Sequence, residues 1–312
     1  MAVFETIFPI LVIVLFGFFT ANRKRLNQNE CDAISKFVFS YVIPVMLFVG
    51  TVNSDIPDNM AWEFLFSYYA ALLFIYFIAI LCAKFVFQFT ASEQSVFSMG
   101  ASYSNSTIVG IPICLYTLGE ASLLPLFIIV SVHNLILFTV GMIVAEHSEF
   151  TLSSFFKSLL NVIKLLLTSP ITVSLILGGI INMFDIDIYH PLKEALTLMS
   201  HAAVPSALFV LGTSLNKYKI RGHIAPALVI VILKLFLFPL FVWLLAFKLY
   251  SIDPLWASTV LLTSAMPVGV SAYIFSQQYQ VGEAPIAASI IISTIGSIFT
   301  LSILIPYIQG LN

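Results

Sequence analysis

The sequence predicts an all-α membrane protein of ten transmembrane helices, arranged as two inverted five-helix repeats with two broken, crossing helices. Three observations lead there. Hydrophobic residues make up 60% of the 312-residue chain and charged residues only 9%, where a soluble protein carries roughly 25% charged residues; the mean hydropathy is +1.05. Apolar runs of about 20 residues, the length that crosses the hydrocarbon of a bilayer, recur along the whole chain. The first half of the chain also recurs in the second. Pro9, Ile10, Val12 and Gly17 return as Pro170, Ile171, Val173 and Gly178, and Pro44, Leu47 and Phe48 as Pro205, Leu208 and Phe209, all at an offset of 161. Gly50-Thr51 returns as Gly212-Thr213 at 162, and Gly119-Glu120-Ala121 as Gly282-Glu283-Ala284 at 163.

The ten expected spans lie at about 2–20, 36–52, 63–85, 93–117, 121–145, 168–184, 191–213, 224–248, 254–279 and 284–308. Residues 1–150 thus form the first repeat and 168–312 the second. Five crossings per repeat is an odd number, so the second copy enters from the opposite face and the repeats are inverted. The basic residues give the orientation. With both termini outside the cytoplasm, Arg23, Lys24, Arg25, Lys36, Lys84, Lys157, Lys164, Lys217, Lys219 and Arg221 fall inside, and only Lys193 and Lys248 fall outside. The first run lacks the charged leader of a cleaved signal peptide and is expected to stay as a span. Between the repeats, residues 151–167 form a cytoplasmic linker. Lys157, Asn161 and Lys164 make a polar stripe there among Phe155, Phe156, Leu159, Leu160 and Ile163. That pattern suits an interfacial helix, with an extension of span six as the other reading.

Spans four and nine differ from their neighbours. Residues 98–107 are small and polar (Ser-Met-Gly-Ala-Ser-Tyr-Ser-Asn-Ser-Thr) and run into Gly110 and Pro112; residues 263–271 repeat the character around Pro267, Gly269 and Ser271. Proline and glycine weaken helix continuity, and at the offset of 161 Asn105 falls on Met266. Irregular backbone at membrane depth is tolerated only inside protein or beside a water-filled cavity. A half-helix N-terminus exposes N–H groups and the positive end of a dipole, which suits an anion. Ser104, Asn105, Ser106 and Thr107 add donors at the first break, and Ser264 and Ser271 at the second. Close helix packing by small residues is the plainer reading of either patch alone. Paired repeats with such breaks are the construction of secondary transporters, whose site lies between the repeats.

The stretch 105–112, Asn-Ser-Thr-Ile-Val-Gly-Ile-Pro, resembles the fourth span of the auxin efflux carrier family, which includes bacterial malate-permease-like carriers and plant PIN auxin exporters. Residues 170–182 with Gly178-Gly179, 203–213, and 234–239 from Lys234 to Pro239 are similar to it in the same order. The resemblance implies a fold like that of bile-acid/sodium symporters, with a scaffold of spans 1, 2, 6 and 7 and a transport domain of spans 3–5 and 8–10. It also implies crossing breaks near 105–112 and 265–271, elevator-type alternating access, and small organic anions as substrates. The site it points to comprises Ser104, Asn105, Ser106, Thr107, Met266, Val268, Gly269 and Ser271, with Gly110, Pro112 and Pro267 making the breaks. Ser104 stands where PIN carriers have proline, and the long cytoplasmic loop of many PIN carriers is absent. A compact carrier of malate-like or auxin-like acids is therefore expected, not an auxin exporter as such. By the same analogy a homodimer through the scaffold is expected.

Three polar residues within spans join the site. Lys234 sits near mid-membrane, where a cation needs a partner; that partner is either an anionic substrate or backbone carbonyls at the break. His133 and Asn134 lie at the middle of span five. His133 reads first as a satisfied core histidine and second as a site residue, while Asn134, which both donates and accepts, is the better site candidate of the two. His201 is expected to be structural. All fifteen acids lie in loops or near span ends, so coupling through a buried carboxylate is not expected. A sodium- or proton-coupled symporter is the alternative. No cofactor or metal motif occurs, Cys31, Cys82 and Cys114 are widely spaced, and no basic run invites nucleic acid. An enzyme would need a constellation such as H-E-x-x-H, which is missing; Ser104 or Ser106 with His133 is the nearest substitute.

Overall fold

A computed structural model describes residues 2–54, 62–146, 160, 164, 168–215 and 224–310. These are helical, with one isolated antiparallel bridge between Ser104 and Val268. The expected interfacial helix over 151–167 lies outside the described residues, apart from Leu160 and Lys164, as do Lys217, Lys219 and Arg221.

Among the described residues, six helices are long and apolar enough to cross a membrane. They are α2 (Gln28–Val52), α3 (Glu63–Phe85), α6 (Glu120–Ala145), α8 (His190–Ser214), α9 (Ile224–Leu249) and α12 (Glu283–Gln309). The shorter helices are α1 (Ala2–Asn22), α4 (Ala91–Ser102), α5 (Ser106–Leu118), α7 (Pro170–Met183), α10 (Pro254–Ser264) and α11 (Val270–Tyr279). Helix α2 begins well before the expected residue 36. Its first turns are polar, and its start is set by a capping box: Glu30 N–H donates to Asn27 Oδ1 (3.0 Å) and Asn27 N–H to Glu30 Oε2 (2.6 Å). Such a cap satisfies two N–H groups without any apolar signal.

Three helices widen into a π turn just before a proline. The segments Val38–Val42, Ser106–Gly110 and Leu233–Leu237 each end two residues before Pro44, Pro112 and Pro239. A proline lacks the N–H that would reach the carbonyl four residues back, and its ring collides with that carbonyl. Those carbonyls belong to Ser40, Ile108 and Leu235, the centre of each widened turn. The π turn moves the carbonyl out of the way without ending the helix.

The chain divides into two compact units. The first comprises Met1–Met60, Thr107–Ser131 and Lys164–Lys217. In it α1 packs on α8 and α2 on α7, through glycines that the repeat had marked. A Cβ on Gly17 would lie 2.2 Å from the Phe209 carbonyl oxygen, one on Gly212 2.0 Å from that of Val14, and one on Gly178 2.9 Å from that of Phe48. Only glycine admits backbones this close. Asn182 Nδ2 then ties α7 to the end of α2, donating to the Val52 and Ser54 carbonyls at 2.8 and 2.9 Å.

The second unit comprises Ala61–Ser106, Val132–Ile163 and Tyr218–Asn312. Helix α3 packs on α4 and α9 on α12. Large rings pack between its helices: Phe64, fully buried, meets Trp256 edge-on at 4.7 Å, and Phe74 meets Phe241 at 4.6 Å nearer the surface. Ser95 joins three elements, sharing a hydrogen bond with the Tyr76 hydroxyl (3.1 Å) and donating to the Gly141 carbonyl (2.6 Å).

Candidate functional site

Helix α4 stops at Ser102 because Tyr103 turns extended, with φ −77° and ψ 110°. Helix α10 stops at Ser264, and α11 resumes at Val270 after an extended Gly269. The two non-helical segments satisfy each other. Asn105 N–H donates to the Pro267 carbonyl and Gly269 N–H to the Tyr103 carbonyl, both at 2.9 Å, around the Ser104–Val268 bridge. Val268 N–H reaches outside the pair to Ser293 Oγ on α12, at 3.0 Å. Buried backbone groups are costly when unpaired, so this short ladder is what lets two chain interruptions persist in an apolar interior. Gly269 is required there: a Cβ would sit 2.4 Å from the Tyr103 ring.

The expected site residues divide by unit. Ser104, Asn105, Ser106, His133, Asn134, Lys234, Met266, Pro267, Val268, Gly269 and Ser271 belong to the second; Thr107, Gly110 and Pro112 lie on α5 in the first. Ser104, Asn105, Ser106, His133, Lys234, Met266 and Val268 are buried, while Thr107, Asn134 and Ser271 are half-buried. Ser106 Oγ makes a long bond, 3.4 Å, to the Ser104 carbonyl. Asn134 is engaged: its Oδ1 accepts a hydrogen bond from the Tyr103 hydroxyl. Lys234 has a backbone partner. Its ammonium donates to the Ser264 carbonyl and lies 4.6 Å from the centre of the Phe238 ring. Ser264 ends α10, where carbonyls lack intrahelical partners and the helix dipole is negative. The lysine amine is therefore tethered at a half-helix C-terminus.

His133 is not the satisfied core histidine of the plainer reading. Neither ring nitrogen has a hydrogen-bond partner, although the ring is enclosed by Tyr103 at 4.7 Å, Tyr68 at 5.8 Å and Tyr69 at 6.4 Å. The hydroxyls of Ser67 and Ser102 are likewise buried and unpartnered, and those of Tyr68, Ser104 and Ser106 face one another. Unmet capacity of this kind costs about 1–3 kcal/mol per group, and neutral hydroxyls and an imidazole are donors suited to a carboxylate. Tyr68, Tyr103 and Ser293 were not among the residues expected from sequence. Ser67-Tyr68-Tyr69 is a polar trio within span three. Ser289, Ser293 and Ser297 recur every fourth residue, which places small hydroxyls on one face of α12, so both signals were there to be read.

Apolar helices of membrane-crossing length and a buried polar cluster beside paired interruptions define a class, a multi-pass membrane transporter. Residues 2–305 match the model of a family described as membrane transport protein, and the chain belongs to that family, the auxin efflux carriers. It is similar to a Rhizobium meliloti (strain 1021) protein named "Putative malonate transporter", 22% identical over 97% of this chain and 95% of the relative. It is also similar to the Escherichia coli (strain K12) transporter YfdV, 24% identical over 94% and 93%. A third relative is the Methanocaldococcus jannaschii transporter MJ1031, 22% identical over 96% of both.

Proposed function

We propose that the protein is a secondary carrier of small organic anions, carboxylates of the malonate or malate kind, and that the site lies beside the paired interruptions at 103–105 and 267–269. The observation that carries the reading is that pairing: two small, polar, Pro- and Gly-containing segments at near-equivalent repeat positions hydrogen-bond to each other. Beside them His133 has no hydrogen-bond partner, and the Tyr68, Ser104 and Ser106 hydroxyls face one another. The name of the Rhizobium relative supports a dicarboxylate. In this reading the chain crosses the membrane ten times as two inverted repeats with both termini outside the cytoplasm, α4–α5 and α10–α11 each making one crossing. The glycine contacts support inversion, since α1 on α8 and α7 on α2 are the same contact exchanged between repeats. Most of spans 3–5 and 8–10 falls in the second unit and spans 1, 2, 6 and 7 in the first. That division supports a transport domain moving against a scaffold, elevator fashion, although residues 107–131 group with the first unit.

Coupling follows from Lys234. Half-helix C-termini and unwound carbonyls are where carriers hold sodium, and here the Ser264 carbonyl already has an ammonium. This favours uniport, driven by the anion gradient and the membrane potential. One charge moved across 100 mV is worth about 2.3 kcal/mol, roughly fifty-fold in accumulation. Purified protein in liposomes is expected to move labelled malonate or malate without sodium or a pH gradient, and Asn105→Ala is expected to slow it at least ten-fold. If no mono- or dicarboxylate in a broad panel moves, the anion reading is wrong. If transport needs sodium or an imposed pH gradient, the symporter reading replaces uniport.

A further inference from the structure

A second site, distinct from the polar cluster, opens on the surface of the second unit. Helices α9, α10 and α12 enclose an apolar groove of about 440 Å³. Its floor is Leu235, Pro239, Leu261 and Ala265, and its rim carries Phe236, Leu240 and Ile303, the last 78% exposed. One end is built differently. There the Trp243 indole N–H donates to the Tyr307 hydroxyl at 2.8 Å, and the exposed Lys248 ammonium stands 5.1 Å from the centre of the Trp243 ring. No ion pair joins Lys248 to a carboxylate among the described residues.

The geometry points to a phospholipid site of acidic preference, with an acyl chain along the groove and the headgroup phosphate at Lys248. Length supports this occupant. Leu235 and Lys248 are thirteen residues apart on one helix, roughly 20 Å, which is about the depth of one leaflet with its headgroup region. Orientation supports it too, because Trp and Tyr take the boundary between acyl chains and headgroups, and here the bonded pair sits at the cationic end only. The charge is complementary: an exposed lysine with no carboxylate partner meets a phosphate. A second copy of the chain would need an apolar partner face and would have no use for a lysine at one end. The groove floor at Leu261 and Ala265 flanks Ser264, so a seated chain would brace the carbonyl that holds Lys234.

Native mass spectrometry of the full chain, released from mixed micelles containing equal palmitoyl-oleoyl phosphatidylglycerol and phosphatidylcholine, tests this. The wild type is expected to retain phosphatidylglycerol about five-fold over phosphatidylcholine. Lys248→Ala is expected to bring the ratio near one, and Ile303→Trp, which fills the groove, to lower retention of both several-fold. Both substitutions lie on exposed side chains, and an unchanged thermal midpoint checks each fold. Equal retention by the wild type, a ratio unmoved by Lys248→Ala, or lipid retention unmoved by Ile303→Trp overturns the proposal. So does a dimer that Ile303→Trp dissociates while no lipid is carried, which assigns the groove to a second copy.

Discussion

The two units bury polar groups on different terms. In both, buried hydroxyls are spent on their own helices: in the first Thr51 donates to the Leu47 carbonyl, Thr213 to Val210 and Ser174 to Ile171, at 2.7–2.9 Å, and in the second Thr263 donates to Thr259 and Ser289 to Ile286; what differs is what is left over. The helices of the first meet through glycines at backbone contact distance. In the second, the hydroxyls of Ser67 and Ser102 and both nitrogens of His133 are buried without partners, and Tyr68 faces the hydroxyls of Ser104 and Ser106, while among the described residues of the first only Thr117 lacks a partner. One unit is closed by packing. The other keeps hydrogen-bonding capacity open next to the chain interruptions.

The comparison can be broken most severely at the glycines. Gly212→Val should leave little folded protein, since even a Cβ would collide with the Val14 carbonyl. The adjacent pair Gly178 and Gly179 gives a graded version. Gly178→Ala is expected to cost about 1–3 kcal/mol through overpacking. Gly179→Ala, which has nothing within 4 Å of the added carbon, should be neutral or gain up to about 1 kcal/mol of helix propensity. Thermal unfolding in detergent reads all three, and equal effects at 178 and 179 would sink the packing account of the first unit.

Lys234→Met comes next. It removes the cation from the Ser264 carbonyl while keeping most of the volume, and should cost about 1–3 kcal/mol for the orphaned carbonyl as well as abolishing anion uptake. Normal stability with lost uptake would instead make the lysine a substrate ligand. Ser293→Ala takes the acceptor from Val268 N–H, with an expected loss of about 1 kcal/mol and partly reduced uptake. The smallest stability effect is expected at His133. Because its nitrogens hold no bond, His133→Leu should leave the thermal midpoint within a few degrees of wild type yet slow uptake several-fold. A large drop in the midpoint with uptake intact would return His133 to the core.

Much of this was legible from residues alone, for local reasons. Apolar runs marked α3, α6, α8 and α12 to within a residue or two, because a bilayer-length run of apolar side chains needs no tertiary information. The interruptions were legible because glycine, proline and short polar side chains act on their own backbone. The start of α2 was not, since a capping box on a polar turn carries no hydropathy. Nor were the π turns: a proline announces trouble with a carbonyl four residues back, but not whether the helix will stop, as before Pro267, or widen and continue, as before Pro239.

The sequence by itself determined the class, a recurrence of landmarks at an offset of about 161, the two small and polar segments that contain proline and glycine, and a lysine within an apolar run. Only the tertiary structure decided what those features meet. Residues 103–105 and 267–269 are more than 160 positions apart, and they pair through peptide groups that every residue carries. Ser264 receives Lys234 through its carbonyl, not its side chain. Backbone partners leave no mark in the identity of the residues that supply them, so such contacts become visible only when the chain has folded around them.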